Sequence, residues 1–178
     1  LTIDLRNYGQ SDTVSKYENL GLRSYNDVLG AFDFLKQIGF TADQIGLLGI
    51  SLGGSTAIFA AAYEPTIKAI WTDSTLAEFN LILKDEIARY GMPNIFGPVV
   101  SLVGQMLTGI DPSDLSPAYK LTSSQSYYIT HGQKDKRVPV RHFEFFQNFI
   151  SKNNIEVLNA SRVSYSPIIY WRKIKFLI

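Results

Sequence analysis

The sequence predicts an α/β fold, a mostly parallel sheet with helices on both faces. Two observations lead to this expectation. Short apolar runs of the kind found in buried strands alternate with longer runs of helical periodicity, and turn residues separate them. At 178 residues the chain has the length of one domain and can bury a sizeable core. We therefore interpret residues 1–178 as a single domain.

The first half of the chain alternates strand and helix patterns. LTIDL predicts a short strand, and the apolar positions between Ser24 and Ile38 recur with helical spacing before Gly39, a typical C-cap residue. IGLLGI and IKAIWT are continuous apolar runs, typical of buried strands. Between them, small residues and good helix formers predict a helix over 51–63, which Pro65 ends.

The second half contains two successive helical patterns, over residues 76–91 and 95–108, with no strand between them. SQSYYITHG then predicts a strand, 140–150 a helix and IEVLN a last strand. We expect the segment of about 75–125 to form a small helical cap. A cap would exclude water and favour a substrate with an apolar part, although two helices that merely cover the core fit the pattern equally well.

Composition excludes several classes of function. Seventeen basic and 16 acidic residues nearly cancel, so nothing indicates binding to nucleic acid or to an anionic membrane. The chain has no cysteine and two histidines, so we expect no disulfide, metal or cofactor. The apolar stretch IFGPVVSLVGQMLTGI is too short and interrupted to span a bilayer. No secretory signal is visible, which leaves the cytoplasm as the default location, although the chain opens without methionine.

The most informative motif is G-x-S-x-G, formed by Gly49, Ser51 and Gly53 between a predicted strand and a predicted helix. Such a sharp turn holds the serine in a strained conformation, and the flanking glycines remove Cβ atoms that would clash. The N–H of Leu52 would lie at the helix N-terminus, where an oxyanion forms. The sequence therefore predicts that Ser51 is a nucleophile. The alternative is a glycine-rich turn with an incidental serine.

These segments resemble the α/β-hydrolase family, in particular the bacterial serine hydrolases of the prolyl-oligopeptidase-like and serine-aminopeptidase-like branch. IDLRNYGQSD resembles that branch's D-x-R-G-x-G-x-S segment, with Asn7 in place of the usual glycine, and GISLGG resembles its nucleophile elbow. IKAIWTDS resembles the sixth strand with its Asp-Ser, and THGQKDKRVPV resembles the acid loop. The resemblance covers residues 1 to about 150. It implies a partial α/β-hydrolase fold and hydrolysis of a small-molecule ester or an amide or peptide bond without a cofactor.

The resemblance assigns the catalytic acid to Asp135, in the loop after SYYIT. A carboxylate at the carboxyl edge of a parallel strand faces the same crevice as the elbow and can stabilise an imidazolium there. The alternative is an ordinary solvated aspartate among lysines. Asp73 follows the neighbouring strand and competes for the acid role, but in this branch a supporting role behind the reacting groups is expected for it.

The general base is the missing part of the pattern. The fold places its histidine after the acid in the chain, yet the corresponding loop, NASRVSYS, contains none. Arg162 occupies the apparent position and cannot act as a base, because it stays protonated. His142 is the only histidine beyond Asp135 and would have to cross about two strand spacings, roughly 10 Å, to reach the elbow. It remains a candidate base, with a surface histidine as the alternative. His131 resembles the structural histidine of the HG motif.

The N-terminal part of the family pattern is also incomplete. In the family's sheet the third strand lies between the fourth and the fifth, and this chain has no counterpart of it between LTIDL and IGLLGI. The loop after that strand normally supplies a second oxyanion donor. A truncated or frame-damaged hydrolase is the simplest interpretation. Two functions remain open: a serine hydrolase whose base lies in sequence not represented here, and a non-catalytic relative that keeps the elbow. We expect this chain by itself not to turn over esters at an enzyme-like rate. Its oligomeric state is open.

Overall fold

The computed structural model describes residues 1–14, 21–155 and 157–163, with backbone alone for 157–161 and 163. In this part the chain alternates strands and helices as the sequence predicts. The helices are α1 (Tyr25–Gln37), α2 (Leu52–Tyr63), α3 (Phe79–Arg89), α4 (Gly97–Thr108) and α5 (Arg141–Asn153). The strands are β1 (Gly46–Ile50), β2 (Ala69–Asp73), β3 (Ser126–Gly132) and β4 (Val157–Val163).

The four strands form one parallel sheet in chain order, β1-β2-β3-β4. Gly49 is level with Thr72, and Thr72 is level with Ile129. Because all four strands run the same way, the loops after β1, β2 and β3 emerge at one edge of the sheet. The predicted α/β class is confirmed, and every loop that was expected to carry a functional residue after β1, β2 or β3 lies at this edge.

The core lies on one side of the sheet. Ile70 of β2 and Tyr127 and Ile129 of β3 are buried with Ile58 of α2 and Phe146 of α5. Strand residues alternate between the two faces. In the described residues, Leu48 and Trp71 on the other face are exposed, and Trp71 packs edge-on against Tyr128 with 5.2 Å between ring centroids.

The predicted strand at LTIDL is not present: residues 1–5 form no strand. A cavity of about 380 Å³ lies between this segment and β1, lined by Leu1, Ile3, Leu5 and Leu48 among others. Among the described residues the segment has no strand beside it to pair with, because β1 lies across that cavity. The strand was predicted from the apolar residues of LTIDL alone, and these residues give no information about a neighbouring strand.

The N-terminal segment is instead attached to α1 through Arg6. The guanidinium Nε and Nη2 of Arg6 donate to the carboxylate of Asp27 at 2.6–3.0 Å, and the Arg6 N–H donates to the same group at 2.9 Å. Burial acts to raise the pKa of Asp27, but the hydrogen bonds and charge of Arg6 outweigh it and hold that pKa below its ordinary value. The ion pair thus fixes residues 1–14 beside α1.

Helices α3 and α4 fill the connection between β2 and β3, where the two helical patterns predicted them. The carboxylate of Glu78 caps α3 by accepting from the N–H groups of Asn80 and Leu81 at 3.0 and 2.9 Å. That the segment of about 75–125 acts as a cap stays a prediction. Among the described residues, no helix has the length and apolar character needed to cross a membrane.

Candidate active site

Ser51 lies at the junction of β1 and α2 with φ 52° and ψ −115°, and its side chain is exposed. A positive φ is uncommon for a residue other than glycine and costs on the order of 1–3 kcal/mol. The elbow hypothesis requires this geometry, which presents the serine at the carboxyl edge of the sheet. The catalytic role of Ser51 stays a prediction.

The strained turn is held from the neighbouring strand. The N–H of Ser51 donates to the carbonyl of Asp73 at 2.8 Å, and the hydroxyl of Thr75 donates to the carbonyl of Ser51 at 3.3 Å. Ser74 also has a positive φ, 51°, and its hydroxyl donates to the Asp73 carboxylate at 3.0 Å. Asp73 therefore supports the elbow through its backbone. Thr75 was not predicted as part of the site, although its place two residues after β2 was a usable signal.

The glycines in and beside the motif differ in whether the surrounding structure leaves space for a Cβ atom. A Cβ at Gly49 would collide with the carbonyl of Gly53, so the strand and the helix could not approach as they do. A Cβ at Gly54 would collide with the hydroxyl of Thr75. A Cβ at Gly53 would meet nothing within 4 Å. The expectation that Gly53 removes a clash is therefore wrong, because this position faces the cavity beside β1; Gly54 has that function.

Leu52 is the first residue of α2, so its N–H has no intrahelical acceptor. The N-terminus of a helix carries a partial positive charge, and its free N–H groups bind anions. Since Leu52 follows Ser51 directly, its N–H is suited to an oxyanion formed on an acyl group attached to Ser51. This role stays a prediction.

Asp135 lies in the loop after β3, at the same edge of the sheet as Ser51 and with one strand, β2, between them. Its Oδ1 accepts from the N–H groups of Arg137 and Val138 at 2.7 and 2.9 Å. The loop is also held by His131, whose Nε2 lies 2.8 Å from the carbonyl of Val138. His131 is buried, and burial lowers its pKa. The loop thus holds a partly exposed carboxylate in place, as an acid role requires.

His142 is buried, so the expectation of a surface histidine is wrong. Its Nδ1 accepts from the N–H of Ala77 at 3.0 Å, which places the ring proton on Nε2, 3.2 Å from Oδ2 of Asp85. Burial, and secondarily the charges of His131 and Arg141, lower its pKa to about 3. Both ring nitrogens are engaged and neither contacts Ser51 or Asp135. This arrangement gives no support to His142 as the base, which stays a prediction.

Arg162 lies within β4, level with His131, rather than in the loop that follows the last strand. Its guanidinium donates to Oε1 of Glu144 at 3.0 Å and lies 5.7 Å from the ring centroid of Phe143. Arg162 therefore pairs with Glu144 and forms no ion pair with Asp135. The strand continues further than the apolar pattern IEVLN indicated, and the rest of the predicted loop, after Val163, lies outside the described residues.

The described part of the chain brings together no group of three or more histidine, cysteine, aspartate or glutamate side chains that could hold a metal ion. The site itself supplies groups suited to nucleophilic and electrostatic chemistry. It comprises an exposed serine in a strained turn, a helix N-terminus beside it, and a fixed carboxylate along the same edge.

Known proteins are similar to this chain in sequence and in structure. An acyltransferase of Aspergillus calidoustus is 39% identical over 75 residues, covering 42% of this chain and 24% of the relative. A thiohydrolase of Aspergillus aculeatus is 35% identical over 79 residues, covering 44% and 25%. The matched segments thus span about a quarter of the length of these relatives.

Among solved structures, an esterase of Pyrococcus furiosus aligns over 96% of this chain and 64% of its own, with a TM-score of 0.61 and 18% identity. An acylaminoacyl peptidase of Pyrococcus horikoshii aligns over 82% of this chain and 23% of its own, with a TM-score of 0.60 and 17% identity. At these identities the likeness concerns the fold. Residues 1–167 match the family described as alpha/beta hydrolase fold, and the chain therefore belongs to the α/β-hydrolase family.

Proposed function

We propose that this chain carries the acyl-accepting site of a serine hydrolase, with Ser51 as nucleophile, the N–H of Leu52 as oxyanion donor and Asp135 as the acid. The observation that carries the proposal is the backbone of Ser51. The N–H of Ser51 donates to the Asp73 carbonyl, and the Ser51 carbonyl accepts from the Thr75 hydroxyl. These two hydrogen bonds hold a positive φ that a serine does not favour by itself. Strain that the surrounding structure maintains in this way is typical of functional sites.

The reaction begins with attack of the Ser51 oxygen on an acyl carbon, which forms a tetrahedral oxyanion beside the helix N-terminus. Collapse of that intermediate expels an alcohol, amine or thiol and leaves an acyl-serine, which water hydrolyses. Each step moves a proton that a neutral base must accept and return. His142 is bonded through both ring nitrogens, so the proposal assigns no base among the described residues.

The substrate class that fits is a small molecule or peptide whose acyl group is linked as an ester, an amide or a thioester. The likeness in fold to an acylaminoacyl peptidase and an esterase supports the first two classes. The matched relatives are an acyltransferase and a thiohydrolase, and their names support extending the class to thioesters. All of these reactions share the transfer of an acyl group to the nucleophile.

A fluorophosphonate probe tests the proposal, because it reacts covalently with an activated serine. We expect a single adduct on intact-mass analysis, which peptide mapping assigns to Ser51. The adduct should be absent from Ser51→Ala and unchanged in Ser151→Ala, a matched control on an exposed serine in the last turn of α5. Asp135→Asn should slow labelling. Equal labelling of Ser51→Ala and the unaltered chain would refute the assignment.

A second candidate function is a non-catalytic member of the family that keeps the elbow without turnover. Two observations favour it: the ring nitrogens of His142 are occupied inside the core, and Arg162 pairs with Glu144 on the surface. Turnover of a p-nitrophenyl ester separates the two candidates. Ser51-dependent labelling with turnover supports the hydrolase, whereas labelling without turnover supports a site that accepts an acyl group and has lost its base.

A further inference from the structure

Helix α4 has the reverse of the usual amphipathic arrangement. Its least exposed positions are Gly97, Ser101, Gly104 and Thr108, which share one side of the helix because they are three or four residues apart. Ser101, Gly104 and Thr108 line a cleft together with the α3 residues Ile82 and Leu83, so this small, polar side is the one that faces the protein. Its large apolar side chains face outward.

The outward side, which we call the α4 face, is formed by apolar side chains of the helix and of the turn before it: Ile95, Phe96, Val99, Val100, Leu102, Val103, Met106 and Leu107. Met106 is 77% exposed, Leu107 63%, Val99 59% and Leu102 55%. A fully exposed aliphatic or Met side chain presents roughly 60–120 Å², from about 1.5–3 kcal/mol of burial free energy at about 25 cal/mol per Å², so the α4 face presents roughly 300–550 Å². An apolar patch of this size on a monomer is often functional, and two such faces in contact bury roughly 600–1,100 Å² in total, the size of a weak protein interface.

The absence of charged residues around α4 limits which kinds of molecule fit the α4 face. The chain has no charged residue between Arg89 and Asp111. A helix that binds an anionic membrane surface carries lysine and arginine on its polar side, and a charged protein partner requires complementary charges. The α4 face has neither. A neutral apolar surface of this size is compatible with its own copy, since pairing it with itself brings no like charges together.

We propose that the α4 face is a homodimer interface, occupied by the α4 face of a second copy of this chain. In a two-fold symmetric dimer every contact between the two copies occurs twice, and a residue near the axis contacts the same residue of the other copy. Val103 lies close to the middle of the face, with Val99 and Met106 one turn to either side, so the axis passes near one of these three. The open sheet face with Leu48 and Trp71, a second exposed apolar surface of the described residues, presents fewer large side chains.

Cysteine substitution tests the geometry directly, because the chain has no cysteine of its own. Val99→Cys, Val103→Cys and Met106→Cys are compared, under mild oxidation, with the matched control Lys152→Cys on the exposed side of α5. We expect at least one of the three to form a disulfide-linked dimer in high yield, while the control stays monomeric. No excess of dimer over the control at any of the three positions would overturn the proposal.

Sedimentation equilibrium tests the free energy of association without a cross-link. We expect the unaltered chain to be a dimer at about 100 µM and Met106→Lys to weaken dimerisation by at least about tenfold. Leu48→Lys, the matched change on the open sheet face, should leave the dimer intact. A monomer at that concentration, or a dimer lost with Leu48→Lys and kept with Met106→Lys, would overturn the assignment. Binding of a monomeric chain to neutral phosphatidylcholine vesicles, abolished by Met106→Lys, would assign the face to lipid instead.

Discussion

Lowering the pH from 8 to 5 should destabilise this protein through His142. In the folded state the ring is neutral, with Nδ1 accepting from Ala77 and the Nε2 proton directed at Asp85, and its pKa is lowered to about 3. In the unfolded chain an ordinary histidine has a pKa of about 6.5. The pKa is depressed on folding, so the stabilising contribution is fully present above pH 6.5 and is lost as the pH falls towards 3.

The size of the effect follows from the difference between the two pKa values. Below pH 6.5 the unfolded chain binds a proton that the folded chain excludes, which costs about 1.4 kcal/mol of unfolding free energy per pH unit. At pH 5 the loss from His142 is therefore about 2 kcal/mol relative to pH 8, a substantial part of the 5–15 kcal/mol of a typical domain. Burial also lowers the pKa of His131, which adds a loss of the same sign.

Urea unfolding followed by circular dichroism between pH 8 and pH 4.5 measures this loss. His142→Asn keeps an acceptor for the N–H of Ala77 but cannot titrate, so we expect its stability to fall by about 2 kcal/mol less than that of the unaltered chain between pH 8 and pH 5. His131→Asn serves as the control for the second histidine, and Asp85 and Arg141 remain in both variants. If His142→Asn loses as much stability on acidification as the unaltered chain, the ring is not excluded from protonation and the reasoning is refuted.

Further substitutions test the contacts that hold the site and its surroundings. Gly54→Ala should lower the free energy of unfolding by about 1–3 kcal/mol, because its Cβ would collide with Thr75, whereas Gly53→Ala should be neutral or stabilise by up to about 1 kcal/mol; equal effects in thermal unfolding would contradict the glycine assignments. Arg6→Met removes a charge-assisted contact to α1 and should cost about 1–3 kcal/mol in urea unfolding. Arg162→Ala breaks an exposed ion pair, so its unfolding free energy should change by less than about 1 kcal/mol. A larger change would show that this pair has a role in the fold.

Sequence patterns predicted those parts of the structure that depend on local chemistry. The helical spacing before Gly39 marks α1, and continuous apolar runs mark β1, β2 and β3. The glycine spacing around Ser51 predicted a strained turn because only a few backbone conformations can connect a strand to a helix so abruptly. Such features depend on residues that are close together in the sequence, and a sequence pattern can therefore predict them.

The errors concern contacts between distant segments. The position of His142 at a helix start predicts a surface residue. In the fold it is buried and contacts Ala77 and Asp85, which belong to a distant part of the chain. LTIDL has the composition of a strand, but it pairs with none of the strands that the structure describes. Arg162 was assigned to a loop because polar residues near the end of an edge strand leave no apolar pattern by which to follow the strand. In each case the missing information was the identity of the partner.

The support of Ser51 by β2 links the geometry of the nucleophile to formation of the sheet. The turn is fixed by the Asp73 carbonyl and by the hydroxyl of Thr75, 24 residues further along the chain. A chain that has made β1 and α2 but has not yet docked β2 lacks both contacts, so its serine is free to relax to an ordinary conformation. During refolding, the reactivity of Ser51 would therefore appear together with the pairing of β1 and β2, which makes a serine-directed probe a reporter of that step.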